Sequence, residues 1–174
     1  MENIQVLTKT NHIKEAQEKE DIMLNKERQE EVVELCQHLI QKQSYSGHED
    51  GVAGVLEEQL KKKGFDSVTV DKYGNVIGCI KGNRPGKKIL FDGHIDTVPV
   101  TDETEWQYPP FAAEIHDGKI YGRGTSDMKG AVAGFVTAAA AFAEDTKKDF
   151  SGEIYVAGVV HEECFEGVAA REIS

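Results

Sequence analysis

The sequence predicts an α/β fold, a mixed sheet with flanking helices. Two N-terminal stretches place apolar residues at helical spacing, and short β-branched runs follow them. An Ala-rich helical segment then separates two further strands. The 174 residues amount to about one domain. With 39% apolar and 29% charged residues, the composition is that of a globular chain rather than a disordered one.

Residues 1–26 are polar, with isolated apolar positions, and read as an N-terminal extension that carries no chemistry. Glu27 to Gln43 is predicted helical, because Val32, Val33, Leu35, Cys36, Leu39 and Ile40 recur near i, i+3, i+4, i+7. Ser44-Tyr-Ser-Gly is a loop. A second helix spans His48 to Lys63, with Val52, Val55, Leu56 and Leu60 on one face and Gly64 where a C-cap belongs.

The period then changes to that of strands. Ser67–Val70 and Asn75–Ile80 are β runs joined by Asp71-Lys-Tyr-Gly, a hairpin-like turn. Asn83-Arg-Pro-Gly reads as another turn. Lys88–Asp92 is a third strand, ending at Gly93-His94-Ile95-Asp96. Glu114 to Tyr121 forms a tight hairpin around Asp117-Gly118. Met128 to Ala143 is the Ala-rich helix. Glu153 to Val160 is an apolar strand expected to be buried on both faces.

Charge and composition exclude whole classes of partner. The net charge of −11 repels phosphate backbones, so nucleic acid is not a partner. The longest nearly apolar run, Ala131 to Ala143, is shorter than the roughly 20 residues a membrane span needs. Three cysteines in no paired framework, and no apolar leader, point to a reducing, cytoplasmic setting.

Three segments bear on chemistry. In Asp92-Gly-His94-Ile-Asp96, a His and an Asp two residues apart follow a strand, a spacing that suits a metal ligand and its orienting partner. Taken alone, a surface turn explains it better. Gly122-Arg-Gly-Thr-Ser-Asp127 has the outline of a dinucleotide loop, but Asp127 stands at the third glycine and would repel a pyrophosphate. Asp127 by itself is a helix N-cap or a cation ligand. His161-Glu162-Glu163-Cys164-Phe165 opens like the HExxH zinc helix, but Phe165 replaces the second His and a strand precedes it. Trp106 to Phe111 is read as packing.

Jointly, Gly-His94-Ile-Asp96-Thr-Val-Pro, Trp106 through Pro110-Phe111, Tyr-Gly-Arg-Gly-Thr-Ser-Asp127-Met-Lys-Gly and Glu162-Glu163 form an ordered set. With them the chain resembles the M20 family of zinc-dependent amidohydrolases, which includes aminoacylases, acetylornithine deacetylases and succinyl-diaminopimelate desuccinylases. The Val-His-Glu-Glu-Cys-Phe-Glu-Gly run is most similar to the selenium-metabolism-linked subgroup.

The resemblance implies that His94 binds one metal ion and Asp96 orients it. It implies that Asp127 bridges two metals, Glu162 is the general base and Glu163 holds the second metal. It also implies a cis peptide at Asp127–Met128. The implied cofactors are two divalent ions, zinc first and cobalt or manganese as alternatives. The implied substrates are amides of N-acylated amino acids or small peptides.

The family pattern also has a later acidic ligand, a late His, and a lid and dimerisation domain, none of which occurs within residues 27–174. That stretch is therefore expected to be an incomplete catalytic domain, inactive alone, with an exposed sheet edge and a tendency to self-associate. A homodimer is expected for a full-length protein. The alternative is a non-catalytic fragment that binds a metal or a partner. Arg123 and Lys129 are expected to serve packing or solvation, and Cys164 to be structural.

Overall fold

The computed structural model describes residues 25–165 and 169–172. Almost all of the expected N-terminal extension therefore lies outside the described residues. Helix α1 (Lys26–Ile40) is capped by Asn25, whose side chain accepts the Arg28 N–H at 2.9 Å. It stops three residues short of the predicted Gln43. Helix α2 (Asp50–Lys62) follows, and Gly64 closes it in the left-handed conformation, φ +76°, as the sequence predicts.

Strands β1 (Ser67–Val70) and β2 (Val76–Lys81) form the expected antiparallel hairpin. Asp71 ties its turn together by accepting the N–H groups of Tyr73, Gly74 and Asn75. Strand β3 (Arg84–His94) begins earlier than predicted. Arg84 already pairs with Ser151, and an irregular register between Arg84 and Lys88 absorbs the Pro-Gly that reads as a turn in the sequence. The β4 (Glu114–His116) and β5 (Lys119–Tyr121) hairpin turns at Asp117 and Gly118, both at positive φ. Helix α3 (Gly130–Asp145) and strand β6 (Ser151–Val159) complete the main body.

The main sheet has the order β1-β2-β6-β3. Only β3 and β6 run parallel, so it is mixed. Val76, Gly158 and Gly93 are cross-strand neighbours on the face beneath the helices. Glycine is required there. A Cβ at Gly158 would collide with Leu56 of α2, and one at Gly93 would crowd Met128, Val132 and Phe135. Helix α1 packs against α3, and Leu35, Leu39, Ile40, Val52, Leu56, Leu60, Val132 and Val136 fill the shared core.

Strand β6 is buried at Val156–Val159 but only half-buried at Glu153–Tyr155, a correction to the expected burial on both faces. The reason is β3. Among the described residues it has a partner on one side only, and Ile89 (51%), Leu90 (40%) and Phe91 (42%) stand exposed. The expected open, apolar edge is therefore present in the described residues.

Candidate metal centre

Because β3 and β6 run parallel, their carboxyl ends lie side by side, where open α/β sheets gather ligand chemistry. His94 is the last residue of β3 and pairs in register with Val159. Glu162 and Glu163 follow β6 after two residues. Asp127 arrives from a third direction, on the turn that leads into α3.

That turn is not a helix start. Asp127 has φ −131° and ψ 96°, and α3 begins only at Gly130, so the N-cap explanation of Asp127 fails. The Asp127–Met128 peptide is cis, as the resemblance implies. The Asp127 side chain is 79% exposed and makes no cap. Its Oδ1 lies 2.9 Å from His94 Nε2.

His94 is 6% exposed. Its Nδ1 donates to the backbone carbonyl of Asp96 at 3.0 Å, and the Asp96 carboxylate lies farther off, at 3.6 Å. Both contacts of Nδ1 are therefore to Asp96. The carbonyl makes the closer contact, and Nε2 is left facing Asp127. The Asp96 carboxylate, with Asp127 on the other nitrogen, raises the imidazole pKa to about 9 against the opposing effect of burial.

Asp96 is fully buried. It accepts the Ser46 hydroxyl at 2.6 Å, the Glu162 N–H at 3.2 Å and the Glu163 N–H at 3.1 Å. Burial alone would push its carboxyl up. The donors from His94, Ser46, Glu163 and Glu162 outweigh that and hold it at about 2. One carboxylate thus ties the end of β3 to the segment after β6.

His94, Asp127 and Glu163 each offer a ligand atom, and these atoms lie within 4.8 Å of one another. Among the described residues this is the one cluster of three or more His, Cys, Asp or Glu groups placed to hold a metal ion. One imidazole and two carboxylates are borderline-to-hard donors of the kind zinc, cobalt and manganese accept, so the residues fit a divalent ion. Glu162 Oε2 sits 4.0 Å from His94 Nε2 and is 55% exposed, beside the cluster and open to solvent.

Two residues given no site role in the sequence reading support this region. Among the described residues Lys129 is the largest fully buried side chain, and its Nζ donates to the carbonyls of Leu39 and Lys42, each at 2.9 Å. It caps the carboxyl end of α1. Burial lowers its pKa to about 8. The packing role expected for Lys129 thus becomes a specific tie between α1 and the Asp127 turn. Glu49 is 5% exposed and accepts the His161 N–H at 3.1 Å. A carboxylate at the start of a helix reads as a cap, and no local pattern announces a partner 112 positions away.

Arg123 stacks over Trp106 at 4.9 Å, consistent with packing. Cys164 is exposed rather than structural, while Cys36 and Cys79 are buried free thiols. No described helix is long and apolar enough to cross a membrane.

Known proteins share this fold. Residues 90–172 match the family model described as peptidase family M20/M25/M40. The succinyl-diaminopimelate desuccinylase of Beijerinckia indica is 39% identical over 132 residues, 72% of this chain and 34% of that protein. Human carnosine dipeptidase 1 superimposes with a TM-score of 0.73 at 23% identity, covering 88% of this chain and 36% of that one. A dinuclear metal-binding peptidase of Bacillus subtilis gives a TM-score of 0.64 at 19% identity, covering 86% and 39%. Through residues 90–172 the chain belongs to peptidase family M20/M25/M40, a family of enzymes. It spans about a third of the length of the curated relatives it matches.

Proposed function

We propose that this chain carries part of the centre of a metal-dependent hydrolase that cleaves amide bonds in N-acylated amino acids or small peptides. The observation that supports it is the convergence of His94, Asp127 and Glu163 within 4.8 Å, with Glu162 beside them. The desuccinylase and dipeptidase relatives support the substrate class, and the dinuclear Bacillus subtilis peptidase supports a two-ion centre.

His94 would hold one ion through Nε2, Asp127 would be shared between two, and Glu163 would hold the second. The ions, zinc or alternatively cobalt or manganese, supply Lewis acidity toward the amide carbonyl and toward water. The chain's own residues do the rest. Asp96 fixes the His94 ring and, through two backbone N–H bonds, the Glu162–Glu163 segment. Glu162 takes a proton from the attacking water at its carboxylate and returns it to the leaving amine nitrogen. Its exposure leaves it accessible to both water and substrate.

Three side-chain donors among the described residues cannot fill two tetrahedral zinc sites, which need about four ligands each. The 174-residue chain is therefore proposed to bind metal incompletely and not to turn over substrate alone. Homodimerisation belongs, in this reading, to a full-length protein. The buried free thiols Cys36 and Cys79 support a reducing, cytoplasmic setting.

The test is metal stoichiometry. The chain and its Asp127→Ala variant are equilibrated with Zn²⁺, desalted and assayed for bound metal. Retention by the wild type and loss by the variant is expected. Retention by neither removes the proposal. Retention by the wild type together with an absence of hydrolysis over a panel of N-acyl amino acids is the result a partial centre gives.

A further inference from the structure

Between α1 and α2 the sequence reads as a loop, Ser44-Tyr-Ser-Gly, running into a helix from His48, yet in the structure residues 44–49 lie directly behind the metal cluster. Ser44 donates its hydroxyl to the carbonyl of Ile95 at 2.8 Å and accepts the Thr97 N–H at its own carbonyl at 2.9 Å. The loop is thereby docked onto the residues that flank Asp96. From this docked position Ser46 donates to Asp96 Oδ2 at 2.6 Å.

Glu49 reaches in another direction. It precedes α2 but makes no side-chain cap there. Its Oε1 instead accepts the His161 N–H at 3.1 Å and lies 3.7 Å from His161 Nδ1. His161 has φ +60°, in the left-handed region, and this bend aims the following residues at the cluster.

Three successive amides, of His161, Glu162 and Glu163, are thus held by two buried carboxylates, Glu49 and Asp96. Both carboxylates come from sequence more than 60 positions away. A backbone amide left unpaired in a buried place costs free energy, so this segment has one favourable position and the two carboxylates define it. The carboxylates also cost free energy to bury, which the three amides and the Ser46 hydroxyl offset.

We propose that Glu49 and Ser46 are positioning residues, which act through the backbone of residues 161–163 and through Asp96 to set where the Glu162 and Glu163 side chains stand. The proposal rests on the metal-centre reading above. It predicts that a loop with no ligand atom controls metal affinity. Outer partners of metal ligands typically carry 10–100-fold in affinity.

The experiment uses the full chain and Zn²⁺ alone. Zn²⁺ affinity is measured by competition against a chromophoric chelator for wild type, Glu49→Ala, Glu49→Gln and Ser46→Ala. Glu49→Gln keeps a carbonyl oxygen able to accept the His161 N–H, whereas Glu49→Ala does not. The expected result is Zn²⁺ binding about tenfold weaker in Glu49→Ala, recovery to near the wild-type value in Glu49→Gln, and a smaller loss in Ser46→Ala.

Amide hydrogen exchange is followed in parallel by NMR on chelator-treated protein. The amides of 161–163 should lose protection in Glu49→Ala and regain it in Glu49→Gln, while core amides of α1 and β6 stay protected in both. If Glu49→Ala does not fold, Ser46→Ala and Glu49→Gln carry the same comparison. Wild-type binding with equal affinity in every folded variant overturns this inference and leaves the metal centre standing. No binding by the wild type overturns the centre and the inference together.

Discussion

Replacing Asp96 by Asn tests the physical account of the site without any metal. At neutral pH the native carboxylate accepts donors from Ser46, Glu162 and Glu163 and faces the raised, cationic His94. Holding a fully buried carboxyl at about 2, against an ordinary 3.8, stabilises the folded chain by about 2.5 kcal/mol. That value is net of the opposing cost of burial. An Asn offers one carbonyl oxygen and turns an NH₂ group toward groups that are themselves donors. At least one backbone amide then loses its partner, at about 1–3 kcal/mol. The two effects overlap, so the expected destabilisation is about 2–4 kcal/mol at pH 6.

The pH dependence has a definite sign. The folded pKa lies below the unfolded one, so between them the unfolded chain binds more protons and stability rises with pH. The contribution of Asp96 is complete above 3.8 and is lost as pH falls through about 2. At pH 3 about half of it remains. Urea unfolding of chelator-treated protein, followed through the fluorescence of Trp106, measures both variants at pH 6 and pH 3. A difference below about 0.5 kcal/mol at pH 6, or one unchanged at pH 3, would refute the hydrogen-bonded carboxylate as the source of stability.

Two further outcomes follow from the packing. Gly158→Ala places a methyl group against Leu56 and 3.0 Å from Ile95 Cγ2, where neither neighbour has room to move, and should cost about 1–3 kcal/mol, read as a lowered melting temperature. The chain should self-associate with rising concentration through β3, and Leu90→Lys should shift light scattering toward monomer; a sharp wild-type monomer peak at high concentration would count against the open edge as an adhesive surface.

Much of the fold was legible because local chemistry dictated it. Gly64, the Asp71 turn and the Asp117-Gly118 hairpin are chain reversals that only a few residue types permit, and each stands where the sequence places it. The errors came where a distant segment decided the outcome. Pro85-Gly86 reads as a turn, but pairing with Ser151 and Glu153 of β6 draws it into β3. Helix α1 ends early, at a carboxyl terminus capped by Lys129 from 90 positions away.

The site divides in the same way. The identities of His94, Asp96, Asp127, Glu162 and Glu163 belong to the sequence, and their order along it suffices to single them out. Their convergence does not, because it depends on the parallel pairing of β3 with β6 and on a turn at Asp127 that no local propensity encodes. The supporting contacts of Ser46, Glu49 and Lys129 were invisible for the same reason. A hydrogen bond between residues 50 to 112 positions apart leaves no periodicity, spacing or composition in the chain, and it exists only once the sheet has brought its partners to the same end.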